Sequence, residues 1–183
     1  MKTDSADSRH IFNDLNPECN MKLILCALSI FIVVAACETQ APDNSAEKLT
    51  IQELNATPAY AWYPAEMSVY TPSAEMVNSV RNSFEPSAEK IAIFVKPTCS
   101  CRGTTKLFPQ IMKTLVSADV DMDRVEIWSM RSASDSHPYQ PNISITELPA
   151  LFVFKNDVVV AHILGADYTD NNADTLIANA LAK

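Results

Sequence analysis

The chain has 183 residues, with 14 lysines and arginines against 22 aspartates and glutamates, a formal net charge of −8 and 48% hydrophobic residues. That length suits one domain with an appendage, and that hydrophobic fraction supports a real core and excludes wholesale disorder. The acidic balance argues against nucleic acid as a partner, because a phosphate backbone calls for a basic face, and two glycines, Gly103 and Gly165, are too few for a glycine-rich phosphate loop.

Residues 1–36 read as an export segment. The run 23–36, LILCALSIFIVVAA, is uncharged. It is shorter than the roughly 20 residues a membrane-spanning helix takes, and it suits the apolar region of a signal peptide, about 7–15 residues behind a positive start. Lys22 supplies the charge, and Met21 reads as the natural start, which makes residues 1–20 an over-extended N-terminus. The run closes with Val34-Ala35-Ala36-Cys37, which resembles the bacterial lipoprotein box. The resemblance implies a mature chain that begins at a lipid-bearing Cys37 and is held to a membrane of the cell envelope, facing the periplasm or the exterior. The plainer alternative is an ordinary signal, or a short anchor helix with an incidental cysteine. Several acyl chains anchor stably where one is marginal. Residues 37–48 then comprise the lipidated cysteine and a polar tether, ETQAPDNSAEK, which spans at most about 35–40 Å. Export removes Cys19 and Cys26 and lipidation consumes Cys37, which leaves Cys99 and Cys101 as thiols in an oxidising compartment.

Residues 49–88 read as an N-terminal extension. Its first part, 49–70, is ambiguous; the aromatic cluster Tyr60, Trp62, Tyr63 and Tyr70 is expected to cover one side of the core, the alternative being an exposed strip for a partner. Thr71 reads as an N-cap with Pro72 at the first helical position, and Met76, Val77, Val80 and Phe84 predict a helix over about 72–84. Pro86 ends it. Residues 91–95, IAIFV, read as a buried strand. A loop or helix start follows over 97–104, and then Leu107, Phe108, Ile111, Met112, Leu115 and Val116 trace a helical face, with Pro109 expected to kink it. Residues 124–130 predict a second strand, and the polar stretch 132–142 a loop or short helix. Two apolar strands, 150–154 and 158–163, joined by Lys155-Asn156-Asp157, signal a hairpin. Gly165 breaks the chain before a helix over 171–183. Helices alternating with strands and ending in a hairpin indicate an α/β fold with a central mixed sheet flanked by helices.

This order, a dithiol at a strand-to-helix junction and a hairpin entered through Leu148-Pro149 together resemble the thioredoxin fold over residues 89–183. The stretch 143–183 is similar to the C-terminal half of thioredoxins in its proline before the third core strand, its FKN turn, the glycine after the hairpin and the terminal amphipathic helix. The resemblance implies that Pro149 is cis and faces the redox cysteines, with Leu148 and Pro149 shaping a substrate groove. It implies a thiol–disulfide oxidoreductase without a cofactor, acting on the thiols and disulfides of exported proteins together with a redox partner. The chain departs from the family in carrying Cys99-Ser100-Cys101 instead of C-x-x-C. Counted from the strand, Cys99 takes the nucleophile's place; counted back from Pro109, Cys101 takes it and Thr104 replaces the second cysteine. The helix register favours Cys101, with Cys99 as its partner. The family's buried acid falls on Ile93 or another apolar position, and Thr98 or Ser100 stands where a tryptophan precedes the nucleophile.

A thiolate is the reactive species, and a helix N-terminus stabilises it. Cys101 sits at such a position, Arg102 adds a nearby positive charge, and Glu147 is a candidate substitute base. A disulfide between residues two apart closes a ring near the edge of the usual Cα separation, so strain and an oxidising or isomerising couple are expected. Two other classes remain open. Two soft thiolates with a histidine suit copper(I), and Cys99, Cys101 and His137 are the candidate ligands, with His162 on a strand. A redox-silent module could instead pair a peptide with the backbone beside Pro149.

Overall fold

The computed structural model describes residues 44–169 and 171–183. The signal segment, Cys37 and the tether up to residue 43 lie outside the described residues. Residues 44–183 form one compact unit built on a five-stranded mixed sheet: β1 (Glu47–Leu49), β2 (Glu89–Val95), β3 (Val125–Ser129), β4 (Ala150–Lys155) and β5 (Val158–Leu164). The spatial order is β1-β3-β2-β4-β5. Only β2 and β3 run parallel; β1 on β3, β4 on β2 and β5 on β4 are antiparallel. Among the described residues five α-helices accompany the sheet: α1 (Ile51–Ala56), α2 (Tyr63–Val69), α3 (Ala74–Ser83), α4 (Phe108–Ser117) and α5 (Ala173–Leu181). The architecture is α/β and compatible with a thioredoxin-like fold. No helix among the described residues is long and apolar enough to cross a membrane.

The central strands are apolar at nearly every position because both sheet faces are covered. Ile91, Ile93 and Val95 of β2 point, with Leu151 and Val153 of β4, into a core shared with the helices, which contribute Leu54, Val80, Ile111, Leu115 and Ile177. Ala92 and Phe94, with Ala150, Phe152 and Phe154, point the other way into a second core. That second face is roofed by the irregular segment 130–148, which supplies Met130, Tyr139, Ile143 and Ile145. The polar stretch 132–142 is thus a loop of turns, and Asp135 braces it by accepting from the Arg131 and Ser132 N–H groups at 2.7 and 3.1 Å. Glu126 ties it to the sheet, accepting from the Tyr139 hydroxyl at 2.6 Å, Trp128 Nε1 at 3.1 Å and Lys48 at 2.9 Å.

Several sequence expectations are corrected. Glu47 and Lys48, expected in the tether, pair with Ser129 and Trp128 as part of β1. A strand of three residues is too short to carry a periodic signal, and only its partner strand defines it. Thr71 does not cap α3 and Pro72 is not in it; the helix starts at Ala74 after Ser73, whose N–H donates to Asp174 at 2.8 Å. The ambiguous stretch 49–70 forms β1, α1, a short 3₁₀ turn and α2. Thr50 caps α1 with a reciprocal capping box to Glu53. Tyr60 and Tyr63 are buried in the core, and Tyr63 stacks on Phe108 with ring centroids 5.3 Å apart; burial pushes the Tyr63 phenol up to about 12. The hairpin turn is the two residues Asn156 and Asp157, both with positive φ, as a type I′ turn demands; Lys155 is in β4 and pairs with Val158.

Candidate active site

β2 ends at Val95, and the chain enters the site through Pro97-Thr98-Cys99. Thr98 has φ 56°, a left-handed conformation that a β-branched residue rarely adopts. Its N–H donates to the Ala59 carbonyl at 3.2 Å, and so the N-terminal extension holds the bend. Cys99 and Cys101 are joined as a disulfide with their Cα atoms 5.4 Å apart. That separation lies well inside the ordinary range of about 4.4–6.8 Å and not at its edge, because the chain bends between them and the Cys101 N–H donates to Cys99 Sγ at 3.2 Å. Both cysteines are half-buried.

The helical run begins directly after the disulfide. The Cys101 carbonyl accepts from the Thr105 N–H at 3.0 Å and from its hydroxyl at 3.1 Å. Residues Gly103–Leu107 form a wide π-type turn, in which the Phe108 N–H donates to the Gly103 carbonyl, and α4 continues from it. Pro109 stands in the first turn of α4, directly after the wide turn of the same helical run, and has no N–H to give a preceding carbonyl. Thr104 is fully buried, with its hydroxyl 3.2 Å from Cys101 Sγ. A disulfide sulfur carries no proton, so the hydroxyl is the donor.

The Leu148–Pro149 peptide is cis. Both of the chain's glycines meet at Pro149: a β-carbon on Gly103 would stand 2.8 Å from Pro149 Cδ and 3.1 Å from Gly165 Cα, and one on Gly165 3.1 Å from Pro149 Cδ. The three-way contact packs the turn after Cys101 against the Pro149 segment. Glu147 Oε1 accepts from the Ala166 N–H at 2.8 Å, which engages the candidate base in fixing the same segment. The sequence alone does not give this contact, because Gly165 lies 64 residues after Cys101 and only the fold brings it to Gly103 and Pro149.

Arg102 lies with its guanidinium carbon 5.8 Å from the Tyr168 ring centroid. β2 does hold a buried carboxylate, Glu89, but at the opposite end of the strand from the cysteines. It accepts there from the Glu85 N–H at 3.0 Å and pairs with Lys155 at 3.4 Å. His137 does not join the cysteines as a metal ligand. It is packed edge-on against Phe94 in the second core, with centroids 5.1 Å apart, its Nδ1 is buried without a hydrogen-bond partner, and burial pushes its pKa down. His162 is exposed on β5, tilted over Phe152. Among the described residues no group of three or more His, Cys, Asp or Glu side chains is placed to hold a metal ion.

Comparison of the chain with protein-family models, with curated proteins and with solved structures finds no match.

Proposed function

We propose that the chain is a thioredoxin-like thiol–disulfide oxidoreductase that acts on exported proteins in the bacterial cell envelope, anchored there by lipid on Cys37. The observation that carries the reading is a half-exposed Cys99–Cys101 pair at the start of a helical run, packed through Gly103 against the cis Pro149 segment. Unpaired N–H groups at a helix start favour a thiolate, and the Thr104 hydroxyl favours it at Cys101.

In the oxidising direction, a substrate thiolate attacks Cys101 Sγ, the Cys99–Cys101 bond breaks, and Cys99 leaves as a thiolate. A second substrate thiolate then attacks the substrate sulfur of the mixed disulfide and releases Cys101. The substrate gains a disulfide and loses two electrons, which reside on the reduced pair; a disulfide such as glutathione disulfide takes them back. In the reverse direction Cys101 attacks a substrate disulfide and Cys99 resolves the mixed species. Leu148 and Pro149 border the groove in which the substrate chain lies.

The test is a titration of the full chain in glutathione buffers, with alkylation at Cys99 and Cys101 read by peptide mass. A reversible couple with a midpoint above roughly −220 mV is expected, towards the isomerase range. Cys101→Ser abolishes turnover and Cys99→Ser accumulates mixed disulfides; the reverse pattern makes Cys99 the nucleophile. Full turnover in both variants overturns the reading.

A further inference from the structure

We propose that the cleft between α1, α2 and α4 is a binding site for a small carboxylate with an apolar chain, a medium-chain fatty acid in its chemistry. The site is separate from the disulfide: neither cysteine nor Pro149 lines it, and it stands whether or not the dithiol turns over.

The cleft has a volume of about 440 Å³, within the range of about 300–1,000 Å³ that small-molecule sites occupy. Ile51 of α1, Met67 of α2, Val116 of α4 and Met122 give it apolar walls. Ile51 and Val116 are 38% and 47% exposed, two of the four exposed large apolar side chains among the described residues. An aliphatic chain laid between them takes that surface out of water.

The polar groups of the cleft specify the head of the ligand. Tyr63 lines it and is only 2% exposed. The hydroxyls of Tyr60, Tyr139 and Tyr168 each donate to a neighbouring side chain, whereas that of Tyr63 has no partner among the described residues. Burial is the influence that raises its pKa, so the phenol stays protonated and is a donor without an acceptor; buried phenols usually find one. Lys113, half-buried on α4, lines the same cleft and has no ion pair or hydrogen bond among the described residues. Lys48, Lys90, Lys106 and Lys155 are all paired with carboxylates. No aspartate or glutamate lines the cleft, in a chain with 22 acidic residues against 14 basic ones. One cation and one neutral donor match a single negative charge on two acceptor oxygens, which is a carboxylate. A phosphate ester, with a charge nearer −2, would keep an unmatched charge beside the apolar walls.

Isothermal titration of the full chain with octanoate, decanoate and 1-octanol tests this. Octanoate should bind one molecule per chain. Decanoate should bind about fifteenfold more tightly, which is about fourfold for each added methylene. The alcohol, without the charge, should bind about tenfold more weakly than octanoate. Lys113→Met, and Tyr63→Phe, which keeps the ring that stacks on Phe108, should each weaken octanoate about tenfold. Lys113→Met should leave the affinity for 1-octanol unchanged, and Lys96→Met, exposed and outside the cleft, should leave octanoate unchanged. No binding of decanoate, equal affinities for octanoate and 1-octanol, or octanoate binding unaltered in either cleft variant overturns the site, as does an equal loss in Lys96→Met.

Discussion

Thr104 offers the most direct discrimination between the two cysteines. Its side chain is fully buried, and its hydroxyl reaches Cys101 Sγ at 3.2 Å. In the reduced protein that hydroxyl donates to whichever form of the sulfur is present, and a donor stabilises the thiolate more than the thiol. Valine has nearly the same shape and no donor. Thr104→Val should therefore raise the midpoint of the Cys101 alkylation profile by about one pH unit, given that a hydrogen bond to a charged group contributes roughly 1.5–3 kcal/mol. The profile of Cys99 should stay in place. Alkylation against pH, resolved by peptide mass, reads both; a shift at Cys99 instead would place the activated sulfur there. Thr98 belongs to the same local design. Its φ of 56° stores strain of order 1–3 kcal/mol next to the reacting pair, and the hydrogen bond to Ala59 helps to hold it.

The segment that roofs the second face of the sheet is irregular, and its polar groups decide its response to acid. Glu126 is its anchor on β3. Burial acts to raise the Glu126 pKa, but hydrogen bonds from Tyr139, Lys48 and Trp128 together with the Lys48 charge outweigh it and hold the carboxyl below its ordinary value. Its contribution to stability is complete above that ordinary value and is lost as pH falls through the depressed one. His137 acts earlier. Burial against Phe94 pushes its pKa below the ordinary value of about 6.5, so the folded chain binds fewer protons than the unfolded chain as pH drops below that point. Stability therefore falls from about pH 6.5 downwards until the folded imidazole itself titrates. His137→Phe keeps an aromatic ring against Phe94 and removes the titration, while the orphaned Nδ1 has no hydrogen bond to lose. The variant should match the parent at pH 5 or exceed it, and its unfolding midpoint in urea should be flat between pH 7 and pH 5 where the parent's declines. An equally steep decline in both would remove His137 as the cause.

Across the molecule, the sequence was most legible where periodicity is strong and long. The apolar runs at 91–95 and 150–154 and the stripe from Leu107 to Leu115 read directly as strands and a helix, because each buries one or both faces in a core. Three features were not legible. β1 is three residues long and is defined by pairing with β3, a non-local fact. The wide turn before α4 arises because Pro109 cannot donate to a preceding carbonyl, which fixes where the regular helix begins. α1 and α2 come from a stretch without clear period. In the site itself the cysteines and Pro149 were legible as a motif, whereas the glycine contact, the Thr105 tie and the absence of His137 depend on distant segments meeting. These facts bear on what the disulfide contributes to the whole. Two cores cover the two sheet faces, and neither needs a cross-link to close. The Cys99–Cys101 loop is so short that opening it restores little freedom to the unfolded chain, about 1–2 kcal/mol in the chain-entropy account. The reduced protein, and a Cys99→Ser/Cys101→Ser variant, should thus unfold in urea within about 2 kcal/mol of the oxidised protein and keep its circular dichroism. Such a result separates a bond that is made and broken in turnover from one that holds the fold. Loss of folding on reduction would assign the pair a structural role and leave the redox reading without its basis.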